Sequence, residues 1–225
     1  TAYKKEGSTS QSFDSVYGIK INDSSVNYIH QNIGRMSLGV KVGETYTDYG
    51  DGNLEETEQL YDMALSGKGF FAISYADRNG NESVRYTRDG NFTVNSQGVL
   101  VTKDGDFVLA EDGGLINIPE GVKISVDESG RITADGQEIA QLQLVDFEDY
   151  NYLEKFGENM YIAIDGATTK DAQCKVYQGY LEASNVNVVT EMVDMITITR
   201  DYESNQKVIQ TIDSTLEKSV ALGRI

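Results

Sequence analysis

Asn187-Val188-Val189-Thr190-Glu191-Met192-Val193-Asp194-Met195-Ile196-Thr197-Ile198-Thr199-Arg200-Asp201-Tyr202 opens a run that reaches Leu222 without a glycine or a proline. Asn187 is a suitable N-cap, and Glu191 and Asp194 sit early, where the positive end of the helix dipole favours acids. Val188, Met192, Met195, Tyr202, Ile209, Ile212, Leu216 and Val220 recur at steps of three, four or seven. On a helix that spacing makes one narrow apolar seam. Thr199, Gln206 and Asp213 stand at seam stations where a coiled coil prefers apolar side chains. Such interruptions suit register-setting in a larger assembly better than maximal stability.

At ~1.5 Å per residue this helix is roughly 50 Å long, more than a compact domain of this size spans. Each large seam residue is worth ~1.5–3 kcal/mol when buried, so eight left in water forgo on the order of 10 kcal/mol. An ordinary core helix lying on the rest of the chain is therefore the poorer reading, and a partner helix is expected. Val188-Val189-Thr190 and Ile196-Thr197-Ile198-Thr199 are β-branched and mediocre helix formers when unsupported. Without a partner, this first half is expected to fray or to pair as strand.

Upstream the signals change. Between residues 61 and 183, Phe70-Phe71-Ala72-Ile73-Ser74-Tyr75 leads into Asn79-Gly80, and Asp-Gly recurs at Asp89-Gly90, Asp104-Gly105, Asp112-Gly113 and Asp135-Gly136. These dipeptides, with Ser129-Gly130, supply the positive φ angles of tight hairpins. Short runs lie between them: Asn91-Phe92-Thr93-Val94, Val99-Leu100-Val101-Thr102 and Phe107-Val108-Leu109-Ala110. Residues 1–60 are polar and Ser/Gly-rich and read as extended segments and loops that join the body. The fold class is thus mainly β, an irregular antiparallel body of short strands and hairpins with an extended N-terminal segment and a long C-terminal α-helix. The expected divisions are 1–60, 61–183 and 184–225.

Charge and residue usage narrow the functions. A formal charge of −17 repels phosphate backbones, which sets nucleic acid and anionic membrane aside. Cys174 is the lone cysteine and His30 the lone histidine, so an internal disulfide framework is ruled out and a structural zinc site has almost nothing to be built from. No stretch approaches a membrane span and no secretory leader is present. The first residue is Thr1, so the chain is expected to have been trimmed.

Four catalytic or binding signals fail on context. Gly67-Lys68-Gly69 imitates part of a dinucleotide loop but precedes a strand. Asp77, Asn79 and Asn81 alternate like a calcium loop, yet the twelfth position is Arg88. No Gly-x-Ser-x-Gly turn accompanies His30. Glu111-Asp112 and Glu148-Asp149 are sequence neighbours that solvated turns explain. No catalytic, cofactor-binding or metal residue is assigned, no small-molecule substrate is expected, and the chain is read as no enzyme.

Gln178-Gly179-Tyr180-Leu181-Glu182-Ala183-Ser184-Asn185-Val186-Asn187, with the helix opening after it and Arg200-Asp201-Tyr202-Glu203, resembles the C-terminal signature of the flagellar basal-body rod and hook protein family. Tyr61-Asp62-Met63-Ala64-Leu65-Ser66-Gly67-Lys68-Gly69-Phe70-Phe71, Tyr86-Thr87-Arg88-Asp89-Gly90-Asn91-Phe92, Gly98-Val99-Leu100-Val101 and Phe156-Gly157-Glu158-Asn159-Met160-Tyr161 are similar to further family blocks, in family order. Ala2-Tyr3-Lys4 resembles a family turn that normally starts with Gly. The length suits the distal rod subunit or its proximal relatives, and residues 41–58 are where these would differ.

The resemblance implies a structural subunit of the flagellar basal body that polymerises into the axial drive shaft. It implies partners among copies of itself, other rod and hook subunits and the flagellar export apparatus, and a location beyond the cytoplasmic membrane after export. It also implies that an N-terminal helix preceding Thr1 would cover the seam. The rival expectation is a secreted carbohydrate-binding or adhesive β protein that dimerises through its helix.

Overall fold

The structure, a computed structural model, describes residues 1–14, 16–20, 31–36, 39–77, 80–119 and 121–222. His30 and Asn79 lie outside the described residues. The chain divides into two compact units, Thr1–Asn185 and Val186–Ile225.

In the first unit β1 (Glu6–Ser12), β2 (Val16–Lys20), β3 (Gln31–Met36) and β4 (Val40–Thr47) form two two-stranded sheets, β2 on β3 and β1 on β4. Then come β5 (Leu54–Glu56), β6 (Met63–Lys68), β7 (Phe70–Ala76), β8 (Glu82–Thr87), β9 (Phe92–Val94), β10 (Leu100–Thr102) and β11 (Phe107–Val108). β12 (Ile124–Val126), β13 (Arg131–Ala134) and β14 (Gln137–Gln141) make a separate three-stranded sheet. β15 (Leu144–Phe147), β16 (Leu153–Phe156), β17 (Met160–Ala163), β18 (Thr169–Asp171), β19 (Gln173–Gln178) and β20 (Tyr180–Glu182) complete the body. The main sheet runs β16-β17-β8-β7-β11-β10-β9, with β15 also on β7 and β18 on β15. β19 pairs with β6 and β20 with β5. Each pairing is antiparallel, the arrangement that short strands joined by tight turns allow.

β7 explains why its sequence is an unbroken apolar run. Successive side chains of a strand point to opposite faces, and Phe70 through Ile73 are all buried. Phe71 and Ile73 join a core with Met63, Leu65, Phe92, Leu100, Val108, Ile116, Ile132, Leu142 and Val176. Phe70, facing the other way, joins a second core with Phe147, Leu153 and Tyr161. Aromatic edges close this second core: Tyr161 and Phe147 lie 5.5 and 6.1 Å from Phe70, ring centre to ring centre. The main sheet thus carries a core on each face.

The Asp-Gly dipeptides do not all act alike. Between β13 and β14, Asp135 (φ 50°) and Gly136 (φ 81°) both occupy the left-handed region, the geometry of a type I′ hairpin. Asp89-Gly90 departs from the expectation, because neither residue has a positive φ. Glycine is required there for proximity: a Cβ on Gly90 would stand 1.6 Å from the carbonyl oxygen of Met63.

The second unit is α1 (Val188–Leu222). Asn187 Oδ1 accepts from the amides of Val189 and Thr190 at 3.1 and 3.2 Å, so it caps the helix as the sequence predicts. The β-branched first half is helical throughout, as the long C-terminal helix expected from the sequence requires. Thr197 and Thr199 donate their hydroxyls to the carbonyls of Val193 and Met195, one turn back, which gives these side chains a local partner inside the helix. No helix among the described residues is long and apolar enough to cross a membrane.

Gly90→Ala is expected to destabilise the body by about 1–3 kcal/mol or more, since backbone and not a pliable side chain blocks the added methyl. Urea denaturation followed by tyrosine fluorescence measures this.

Candidate assembly site

All eight predicted seam residues lie on α1, and all are exposed, from 53% at Ile212 to 71% at Tyr202. Val188, Met195, Tyr202, Ile209 and Leu216 are spaced by seven. Seven residues fall ~20° short of two helical turns, so on a straight helix this row drifts by about 80° from end to end. A left-handed supercoil removes that drift and keeps such a row against one neighbour.

Sequence reasoning missed a second apolar row. Val189, Val193 and Ile196, at steps of four and three, are 72%, 55% and 53% exposed. About 100° of rotation per residue puts them roughly a quarter-turn or more from the seam. The hydrophobic pattern was legible, but a single-seam template absorbs only one row. The first three turns of α1 therefore present two faces, and the later turns mainly one.

The chain just before α1 is held in the body by charges that the sequence reading also missed. Glu182, at the end of β20, is buried with Lys4 and Arg88. Lys4 Nζ donates to Glu182 Oε1 at 2.5 Å and to the Gly50 carbonyl at 2.7 Å. Arg88 Nε donates to Glu182 Oε2 at 2.9 Å. Its Nη1 reaches the Gly67 and Gly69 carbonyls at 2.6 and 2.9 Å, and its Nη2 reaches Asp51 Oδ1 at 2.8 Å and Glu182 Oε1 at 3.4 Å. The Gly52 amide adds a bond to Glu182 Oε1 at 2.9 Å. Two cations thus face two carboxylates, one of them, Asp51, partly in water. Burial pushes the Glu182 carboxyl up, but the Arg88 charge and the hydrogen bonds from Arg88, Gly52 and Lys4 outweigh it and hold the group below its ordinary 4.5.

Elsewhere the described residues contain no group of three or more His, Cys, Asp or Glu placed to hold a metal ion. Asp112 and Asp149 each accept a backbone amide two residues on, in local turns. Burial pushes the Cys174 thiol up, away from the reactive thiolate form.

Comparison with known proteins places both the body and α1 within described families. Residues 177–222 match the family model described as the C-terminal domain of the flagellar basal body rod FlgEFG proteins. Residues 64–134 match the D1 domain model of the flagellar hook proteins FlgE/F/G. The flagellar basal-body rod protein FlgG of Buchnera aphidicola subsp. Schizaphis graminum is 37% identical over 198 residues, covering 82% of this chain and 73% of its own. The chain belongs to the flagellar basal-body rod and hook family. Within that family, the FlgG rod protein of Bacillus subtilis is 32% identical over 207 residues, covering 86% of this chain and 76% of its own. The FlgF rod protein of Caulobacter vibrioides is 37% identical over 174 residues, covering 76% and 68%. The rod-family C-terminal match takes in Glu182, Asn187 and every seam residue.

Because the Glu182 pKa is depressed on folding, its stabilisation is present above pH 4.5, its ordinary value, and is lost as pH falls through the lower folded value. Glu182→Gln is expected to cost about 3–5 kcal/mol at pH 7, since it leaves two buried cations short of a counter-charge. The gap to the parent should narrow as pH drops below 4.5, because only the parent has this carboxylate to lose. Denaturation midpoints of both chains at pH 7 and pH 3.5 check the sign.

Proposed function

We propose that this chain is a structural subunit of the bacterial flagellar basal-body rod that polymerises into the axial drive shaft through α1. The single observation that carries the reading is the exposure of all eight seam residues on α1 in a chain of the rod and hook family. On the order of 10 kcal/mol of burial is available to whatever covers that seam, and the 35 residues of the helix give it a long contact line. Val188, Met192, Met195, Tyr202, Ile209, Ile212, Leu216 and Val220 make the axial contacts. A helix ahead of residue 1, of the kind the family resemblance implies, is one neighbour of the seam, and helices of adjacent copies supply the others. The second row formed by Val189, Val193 and Ile196 takes one of those additional neighbours. The body, residues 61–183 with β5 paired onto β20, sets stagger and lateral contacts.

The partners are then copies of this chain, other rod and hook subunits and, during delivery, the flagellar export apparatus. The chain has its place in the flagellar basal body, beyond the cytoplasmic membrane. Its chemistry is packing: the role uses no cofactor, substrate or nucleic acid.

Met195→Asp places a carboxylate in the middle of the seam, where burial costs several kcal/mol, so the assembly constant should fall by about 100-fold or more. Sedimentation of parent and variant under assembly conditions measures the loss. Unchanged far-ultraviolet circular dichroism from the β body shows that the effect is confined to the seam. Equal sedimentation of the two chains as assemblies would count against packing through α1.

A further inference from the structure

We infer that residues 1–5, 48–53 and 180–185 form one latch, keyed by Glu182, that opens and closes on the β body as a unit and fixes the backbone up to Asn185. Three kinds of observation lead there. The stretches are stitched to one another by polar bonds. The Ala2 amide donates to the Glu182 carbonyl at 2.7 Å, the Lys5 amide to Asn185 Oδ1 at 2.8 Å and the Asp48 amide to the Lys5 carbonyl at 2.8 Å. Ser184 Oγ reaches the Tyr3 carbonyl, Asn185 Nδ2 reaches the Asp48 carbonyl, and the Ala183 amide reaches the Asn53 carbonyl, each at 2.8 or 2.9 Å. Removing any one stretch leaves donors or acceptors of the other two unmet.

Apolar anchoring, by contrast, is thin. Ala2 and Leu181 are buried but belong to neither core cluster, and Tyr49 alone packs against the smaller one. Segments held by polar bonds with few buried apolar contacts open at lower free energy than the core they rest on. The closed form also carries strain. Ala2 is held at φ 51°, a left-handed conformation that costs an L-residue about 1–2 kcal/mol. The backbones approach so closely that a Cβ on Gly52 would lie 1.9 Å from the Ala183 carbonyl oxygen. Strain, sparse apolar contact and mutual polar bonding together make a unit that is either wholly seated or wholly released. Glu182 is its key because its side chain alone touches Lys4, Gly52 and Arg88 at once.

If the axial role proposed above holds, the latch decides how firmly the base of the assembly helix is tethered. The latch itself is tested on the unassembled full chain, so its failure is separate from a failure of assembly, which sedimentation of Met195→Asp reports. Amide-resolved hydrogen exchange is measured on the parent, on Lys4→Met, and on Gly52→Ala, which strikes the latch without removing a charge. In both variants the amides of Lys5, Asp48, Gly52 and Ala183 should exchange faster by one common factor, about tenfold or more. The amides of Ala72 and Leu109, bonded within the main sheet, should keep the parent's rates. Acceleration confined to Gly52 and its direct contacts, acceleration shared equally by Ala72 and Leu109, or no change in either variant would each overturn the latch.

Discussion

A guanidinium out of water needs an oxygen for each of its five N–H groups, and Arg88 finds all five. Two are the carbonyls of Gly67, near the end of β6, and of Gly69, between β6 and β7; one is Asp51 and two are the oxygens of Glu182. A buried cation left short of partners costs several kcal/mol, so the positions of these segments are not independent. Satisfying Arg88 places the end of β20 against the loop around residue 51, and Glu182 then draws in Lys4. Lysine could not substitute, because a point charge with three donors cannot span that planar fan of acceptors. The path of the chain toward α1 follows from this one side chain's geometry.

Legibility from sequence followed locality. The helix was readable because its signals are local: no glycine or proline, a capping Asn187, apolar residues at helical steps. The hairpin body was readable for the same reason, since dipeptides such as Asp135-Gly136 specify their own φ angles. Arg88 and Glu182 are 94 residues apart, and no spacing rule joins them to Lys4. All three nevertheless fall inside the blocks that carried the family resemblance, so the resemblance marked them without explaining them. Asp89-Gly90 misled because composition alone cannot tell a glycine needed for its φ from one needed for its missing Cβ. The weakness assigned to Ile196-Thr197-Ile198-Thr199 came from propensity, a small per-residue preference that the uninterrupted helix on either side overrides.

The two units differ in completeness. The body has two cores, paired strands and a buried network in which Lys4 and Arg88 meet Asp51 and Glu182, and its apolar residues are largely spent inside it. The helix has its cap and its backbone bonds but exposes its large apolar side chains to water. The finished fold of the first unit and the bare apolar seam of the second thus stand in one chain. The net charge of −17 adds repulsion between free copies, screened beyond a Debye length of about 8 Å at physiological salt.

The double-sided packing of β7 carries a consequence for how the chain finds its fold. Phe71 and Ile73 fill one side while the intervening positions are Ala72 and Ser74. Slippage by a single residue toward the N-terminus of the strand would set Ala72 and Ser74 where the larger core expects an aromatic ring and a branched aliphatic chain. Voids of that size cost about 3–5 kcal/mol for the ring alone, and the ladders to β8, β11 and β15 would all misalign together. Misregistered pairing is thereby heavily penalised, which favours recovery of one alignment by a chain refolding from an extended state.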